Sequence, residues 1–136
     1  ADATLRFSQD ASKLFFGVAP KPVLQDTSLL EDEIVNVEVW SYTDPVMHTQ
    51  QKVLLDREKK RSYDCVYHTN TGKIVPLGSP AIPNISLGNE GNANYVLGYN
   101  DEAYGVERTW ESWSKRDVYL IDVQTGAPKL VAKGLD

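Results

Sequence analysis

Two histidines, one cysteine and several carboxylates are the side chains with which this chain could do acid–base, nucleophilic or metal chemistry. The histidines are His48 and His68, and the cysteine is Cys65. Neither histidine stands at a spacing from Ser and Asp residues that indicates a catalytic triad. Cys65 and His68 are three positions apart on a predicted strand, so their side chains should point to opposite faces. We therefore predict a buried cysteine and a surface histidine rather than a metal site.

The acidic residues of the second half include two pairs, Asp101 with Glu102 and Glu107 with Glu111. Glycoside hydrolysis needs two opposed carboxylates, but no such arrangement is evident, and we interpret these residues as loop and rim charges. Residues 89–94 read Asn-Glu-Gly-Asn-Ala-Asn. They lack the acidic spacing of a calcium-binding EF-hand and the lysine of a phosphate-binding P-loop. We predict a turn between strands there, and the sequence predicts neither a metal nor a cofactor.

An aromatic patch is the only candidate substrate-binding site, and it consists of Tyr104, Trp110, Glu111 and Trp113. Aromatic side chains can line a peptide path, and a nearby carboxylate could meet a substrate amine. Aromatic side chains also fill the seams between packed sheets, and packing is the interpretation that we favour for this patch. A ligand surface and packing are also the two alternatives for Trp40 and Tyr42, and for these residues we favour packing more strongly than for the patch.

Composition excludes several classes of protein. A hydrophobic content of 41% and an aromatic content of 10% argue against intrinsic disorder. The net charge of −5 argues against nonspecific nucleic-acid binding, which needs surplus Lys and Arg. The one basic cluster, residues 57–61, is interleaved with acidic residues and predicts a solvated surface segment. No apolar run approaches the roughly 20 residues of a membrane span, and there is no signal-peptide core.

The sequence contains two similar segments, and this internal repeat is its most informative feature. Residues 7–77 open with FSQDASKLFFGVAP and close with YDCVYHTNTGKIVPL, and residues 85–131 open with ISLGNEGNANYVLGY and close with DVYLIDVQTGAPKLV. The Thr-Gly turns of the two closings, Thr71-Gly72 and Thr125-Gly126, lie 54 positions apart. Self-similarity of this kind indicates a repeat architecture, in which one unit cannot bury its own apolar face.

Each repeat predicts about four short antiparallel strands joined by tight turns, which is an all-β fold with little or no helix. The clearest strand is predicted at residues 34–42, where apolar and polar side chains alternate. Only residues 23–33 and 50–60 could form short helices. We place a first unit at residues 1–79, with a long insertion at about 21–60, and a second at residues 80–136.

The opening and closing hairpins resemble those of β-propeller blades in the prolyl oligopeptidase and dipeptidyl-peptidase family. FSQDASKLFFGVAP is similar to the FSPDGKKLAF hairpin of that family, and DVYLIDVQTGAPKLV to the DLYLVDLETGKVTRL hairpin that closes its blades. VNVEVWSYTDP resembles a strand that precedes a long excursion in bacterial members. The resemblance implies two propeller blades packed side by side. It also implies a parent serine peptidase in which the propeller gates or orients peptide substrate for a separate α/β-hydrolase domain.

On this resemblance the chain itself carries no catalytic residue, because no serine has the glycines of a G-x-S-x-G elbow. Its partners would be the hydrolase domain and a peptide substrate, and its location periplasmic or secreted. The alternative is a propeller that serves as an interaction or sensor module without an enzyme. A free-standing β-sandwich remains a third possibility for the fold. Two blades outside a ring leave apolar faces uncovered, so we also expect self-association.

Overall fold

The computed structural model describes residues 4–21, 28, 30, 33–34 and 37–136. This part of the chain forms two four-stranded antiparallel sheets and one α-helix. Sheet 1 contains, in spatial order, β1 (Arg6–Phe7), β2 (Lys13–Val18), β3 (Tyr63–His68) and β4 (Lys73–Pro76). Sheet 2 contains β5 (Asn84–Ser86), β6 (Tyr95–Asn100), β7 (Arg116–Asp122) and β8 (Pro128–Leu135). The prediction of two four-stranded antiparallel sheets is confirmed.

The helix α1 (His48–Lys59) lies in the second of the two windows that the sequence left open for a helix. Its residues are mostly good helix formers, such as Gln, Lys, Leu, Arg and Glu. None of them is buried, and Glu58 and Arg61 form an ion pair at its end. The first window, residues 23–33, lies largely outside the described residues. The expectation of little or no helix therefore has one exception of 12 residues, together with three short 3₁₀ turns.

The strand predicted at residues 34–42 is not formed in the part of it that the structure describes. Residues 37–41 are irregular, and Val39 is 88% exposed. The reason is that β2 pairs directly with β3, through Val18 and Tyr63, so the connection between them leaves the sheet. An alternating segment needs a neighbouring strand to satisfy its backbone groups, and residues 37–42 pair with none of the strands in the described part of the chain. Residues 35 and 36 lie outside the described residues.

A hydrogen-bonded turn joins β1 to β2 and is centred on Asp10. Its carboxylate accepts hydrogen bonds from the hydroxyls of Ser8 and Ser12, at 2.6 and 2.8 Å, and from the Ser12 amide at 3.0 Å. These donors, with Ser8 the strongest, lower the pKa of Asp10 to about 2. The short polar side chains of this segment therefore satisfy the backbone of the turn locally.

The hydrophobic core lies between the two sheets. Its buried members from the first half are Phe15, Val66, Val75 and Leu77, and those from the second half are Ile82, Val96, Ile121 and Val123. Gly98 lets Ile82 and the Ile121 side chain of sheet 2 approach the backbone, since a Cβ there would lie 2.8 Å from Ile121 Cδ1 and closer still to Ile82 Cγ2. Neither sheet has a core of its own, as the repeat predicted.

The closing hairpins of the two repeats are built alike. The amide of Gly72 donates to the His68 carbonyl at 2.8 Å, and the amide of Gly126 donates to the Asp122 carbonyl at 2.7 Å. Both glycines have a positive φ, 69° and 74°. His68 therefore corresponds to Asp122, and the 54-residue offset of the sequence holds through this hairpin in three dimensions.

This correspondence shows that the two sheets meet through faces that are not equivalent. Val66 is fully buried on the inner face of sheet 1, whereas its counterpart Leu120 lies on the outer face of sheet 2. Ile121 is fully buried on the inner face of sheet 2, whereas its counterpart Tyr67 lies on the outer face of sheet 1. The contact is head to tail, as between successive units of a stack, and has no twofold symmetry.

Candidate functional site

All four residues of the candidate substrate-binding patch lie in one connection, residues 101–115, which joins β6 to β7. Two 3₁₀ turns, Glu102–Tyr104 and Glu107–Thr109, shape this loop. Side-chain contacts hold it in place: an ion pair of Asp101 with Arg108, an ion pair of Glu107 with Lys115 at 2.9 Å, and a hydrogen bond of Tyr104 with Asp117. The connection contains no strand.

Tyr104 anchors the loop to sheet 2. Its hydroxyl donates to Asp117 Oδ1 at 2.7 Å, and the amide of Gly134 donates to the same oxygen at 3.0 Å. The hydrogen bond with Asp117 raises the pKa of Tyr104, and the bonds from Tyr104 and then Gly134 lower the pKa of Asp117. The Tyr104 hydroxyl is therefore engaged within the fold and does not face a ligand.

The other three residues of the patch are at the surface. Trp110 is 80% exposed and Trp113 is 59% exposed, and Glu111 between them is exposed as well. Within the described part of the chain, no lysine or arginine forms an ion pair with Glu111. The tryptophans do not fill a seam between the sheets. Two exposed indole rings and an exposed carboxylate in one loop offer a surface on which a peptide amine and an adjacent apolar side chain could bind.

A shallow cavity of about 200 Å³ opens beside this loop and is lined by Asn84, Tyr99, Asp101, Ser114 and Arg116. The Arg116 guanidinium lies 5.6 Å from the centre of the Tyr99 ring. A wider cavity of about 510 Å³ shares Asn84 and is otherwise lined mainly by the end of α1 and residues 60–62. Both cavities mix positive and negative side chains, so neither selects one ligand charge. The basic cluster at residues 57–61 is exposed, as predicted.

The two histidines have different environments. His48 Nε2 lies 2.9 Å from Glu38 Oε2, and its ring stacks on Trp40 with the ring centres 5.3 Å apart. Lys52, one helical turn further on, also pairs with Glu38, at 3.0 Å. Trp40 and Tyr42 are nevertheless 62% and 98% exposed, so the packing role favoured for them is not observed. This cluster attaches residues 38–40 to α1.

His68 is buried, and the prediction of a surface histidine is wrong. It is 5% exposed, and its Nε2 lies 3.0 Å from the carbonyl oxygen of Val123 in the second repeat. Cys65 is buried as predicted, and burial, with the neighbouring Asp64 carboxylate, raises the pKa of its thiol. The two side chains point to opposite faces of β3, as predicted. The face that carries His68 happens to be the one covered by sheet 2.

Sequence reasoning missed a row of three basic side chains that joins the sheets. Lys13, His68 and Lys73 are direct neighbours across β2, β3 and β4 and so share the inner face. Lys13 Nζ donates to the Asn92 carbonyl at 3.2 Å, and Lys73 Nζ donates to the Gln124 carbonyl at 3.1 Å. With His68, every member of the row bonds a turn carbonyl of the second repeat. Only the pairing register, which is nonlocal, brings the three together.

The segment 89–94 is a turn between strands, as predicted, and it also contacts sheet 1. Asn89–Gly91 forms a 3₁₀ turn, and the side-chain oxygen of Asn92 accepts a hydrogen bond from the Asp10 amide at 3.2 Å. Among the described residues, no group of three or more His, Cys, Asp or Glu side chains is placed to hold a metal ion. No helix in the described part of the chain is long and apolar enough to cross a membrane.

Comparisons with known proteins identify no relative. A scan against protein-family models, a search of curated proteins and a search of solved structures each found no match.

Proposed function

We propose that this chain is a noncatalytic β-propeller segment of a prolyl oligopeptidase-like serine peptidase, and that it gates or orients peptide substrate for a hydrolase domain. The observation that carries the proposal is the head-to-tail contact between two equivalent four-stranded sheets. In a propeller each blade packs one face on the preceding blade and the other on the following blade. Equivalent blades therefore meet through non-equivalent faces, as sheets 1 and 2 do.

The outer faces of both sheets favour a stack over a free-standing sandwich. Strands of a sandwich alternate apolar inner residues with polar outer ones. Here the outer face of sheet 1 presents Phe7, Val18 and Ile74, which are 59%, 47% and 60% exposed. The outer face of sheet 2 presents Tyr95 and Leu97, which are 53% and 39% exposed. Apolar residues on both faces are what a sheet with neighbours on both sides requires.

The resemblance of the hairpins to those of a peptidase family supports the peptidase part of the proposal. The loop 101–115 is the proposed contact with substrate. Glu111 would attract the free amino terminus of a short peptide, and Trp110 and Trp113 would contact its first side chains. Restricting access to short peptides in this way needs no catalytic group in the chain. A serine nucleophile and its histidine would belong to the hydrolase domain.

This function predicts that the chain binds short peptides with a free amino terminus weakly and hydrolyses none of them. Glu111→Gln should weaken binding by about two- to fivefold, as expected for an exposed charge pair. Glu102→Gln, an acidic residue of the same loop, is the matched control and should leave binding unchanged. Tryptophan fluorescence during titration with Xaa-Pro peptides and their N-acetylated forms measures this.

Two results would count against the proposal. Hydrolysis of Xaa-Pro chromogenic dipeptides that survives purification and responds to serine-reactive inhibitors would place a catalyst in this chain. Equal binding of free and acetylated peptides would remove the role of Glu111.

A propeller that only binds proteins is the second candidate, favoured by the exposed Trp110 and Trp113. A G-x-S-x-G elbow encoded downstream in the gene would favour the peptidase.

A further inference from the structure

We propose that this chain binds a second copy of itself head to tail, with the outer face of sheet 1 in one copy packed on the outer face of sheet 2 in the other. Outer face 1 is defined by Leu14, Phe16, Val18, Tyr67 and Ile74, and outer face 2 by Tyr95, Leu97, Tyr99 and Leu120. The inference rests on the register of the two repeats and holds whether or not the chain serves a peptidase.

Outer face 2 corresponds to a surface that already packs on a sheet in this molecule. The turn correspondence makes Leu120 the counterpart of Val66, and their cross-strand partners, Leu97 and Phe15, correspond as well. Val66 and Phe15 are 0% and 2% exposed in the contact with sheet 2. Leu97, at 39%, occupies the same place in its own sheet without a cover.

Outer face 1 is, in the same way, the counterpart of the buried face of sheet 2. Tyr67 corresponds to Ile121, and Leu14, its partner on β2, corresponds to Val96. Ile121 and Val96 are 0% and 3% exposed. The two outer faces, which are half-buried to exposed, are therefore the counterparts of the two faces that already pack together, which makes a second copy the occupant to which they are suited.

The turn glycines extend this argument from the faces to the hairpin ends. Gly126 of sheet 2 is pressed against sheet 1, where a Cβ would lie 2.6 Å from the Pro76 carbonyl oxygen. Gly72, its counterpart, has only the Tyr67 hydroxyl near its Cβ position, at 3.9 Å. The turn of sheet 1 is thus free to take the same place against the β8 strand of a second copy.

A contact between outer face 1 of one copy and outer face 2 of another leaves the second outer face of each copy uncovered. Each added copy leaves one outer face 1 and one outer face 2 open, so assembly continues to a ring or an open stack. The apparent mass should rise with concentration beyond that of a dimer. A twofold dimer through a single face would stop at two copies.

Complementary variants test the proposal by sedimentation velocity. Ile74→Asp places a charge on outer face 1, and Leu97→Asp places one on outer face 2. Each variant alone should remain a monomer, with association weakened about tenfold or more. An equimolar mixture should restore association but stop at a dimer, because only one intact pair of faces remains. Val53→Asp, at an 83% exposed position on α1, is the control and should assemble like the unchanged chain.

Several outcomes would overturn the inference: a strictly monomeric unchanged chain at high concentration, a mixture that stays monomeric, or sensitivity to only one of the two variants. Circular dichroism verifies that each variant keeps its sheets. If a variant loses its sheets, methyl NMR of the unchanged chain tests the contact between copies instead. Dilution should shift the methyl signals of Ile74 and Leu97 and leave those of Val53 unchanged, and invariant Ile74 and Leu97 signals would contradict the contact. A monomeric result would leave the peptide-binding prediction standing.

Discussion

Replacing Gly126 with alanine is expected to lower the free energy of unfolding by about 3 kcal/mol, whereas the same change at Gly72 should cost about 1 kcal/mol. Both residues have a left-handed conformation, so alanine introduces similar backbone strain in the two turns. At Gly126 the new Cβ would also lie 2.6 Å from the Pro76 oxygen and 3.0 Å from Val75 Cγ1. At Gly72 there is space for it. The difference between the two losses measures the contact of the second turn with sheet 1.

Urea denaturation followed by circular dichroism gives both free energies. Gly72 is the control because it is the same residue type in the same turn of the other repeat. Equal losses at the two positions would mean that the second turn does not lie against sheet 1, and the head-to-tail contact would then be wrong at this point.

His68→Ala is expected to destabilise the fold by about 2 to 3 kcal/mol, because it leaves the buried Val123 carbonyl without its donor and removes a buried ring. His48→Ala should cost less than about 1 kcal/mol, because the pair of His48 with Glu38 lies at the surface. The two substitutions are chemically identical, but His48 lies at the surface in α1 and His68 is buried in β3. Thermal and urea unfolding of both variants measures the difference.

A second variant separates the hydrogen bond from the packing. His68→Gln keeps a side-chain donor on the same strand position, and part of the lost stability should return if it reaches the Val123 carbonyl. Similar small losses for His68→Ala and His48→Ala would show that the row of basic side chains does not join the sheets.

The sequence was sufficient for features whose causes are local. The turns at Gly72 and Gly126 were predictable because a tight turn of this type needs a positive φ, which glycine adopts without strain. The turn at Asp10 was predictable because short polar side chains bond nearby amides. The 54-residue offset carried the most information, since it indicated two sheets of the same construction.

Features that depend on distant partners were not predictable in this way. The alternation in residues 34–42 is a strand pattern, yet β2 pairs with β3, and the described residues 37–42 lie outside the sheet. The spacing of Cys65 and His68 gave opposite faces of β3 but not the face that sheet 2 covers. Which repeat face is inside is decided by the packing of one sheet on the other, and no single hairpin contains that information.

The candidate site shows the same division. Its residues were recognisable by type, because two tryptophans and a glutamate in one short loop are unusual for a surface. Their exposure was not recognisable, since aromatic residues are more often packed. Tyr104, unlike the exposed tryptophans, is held against the sheet by its hydrogen bond to Asp117, which lies at the start of β7.

Nuclear Overhauser spectroscopy on the dilute chain tests most directly whether the two repeats meet through non-equivalent faces. The structure predicts cross-peaks from the His68 ring to Val123 and from the Phe15 ring to Gly91, whose Cβ position lies 2.8 Å from Phe15 Cε2. Val66 and Leu120 should show none between them, because these equivalent residues lie on faces that never meet. Cross-peaks joining Val66 to Leu120, with none from His68 to Val123, would show a twofold sandwich and contradict the account.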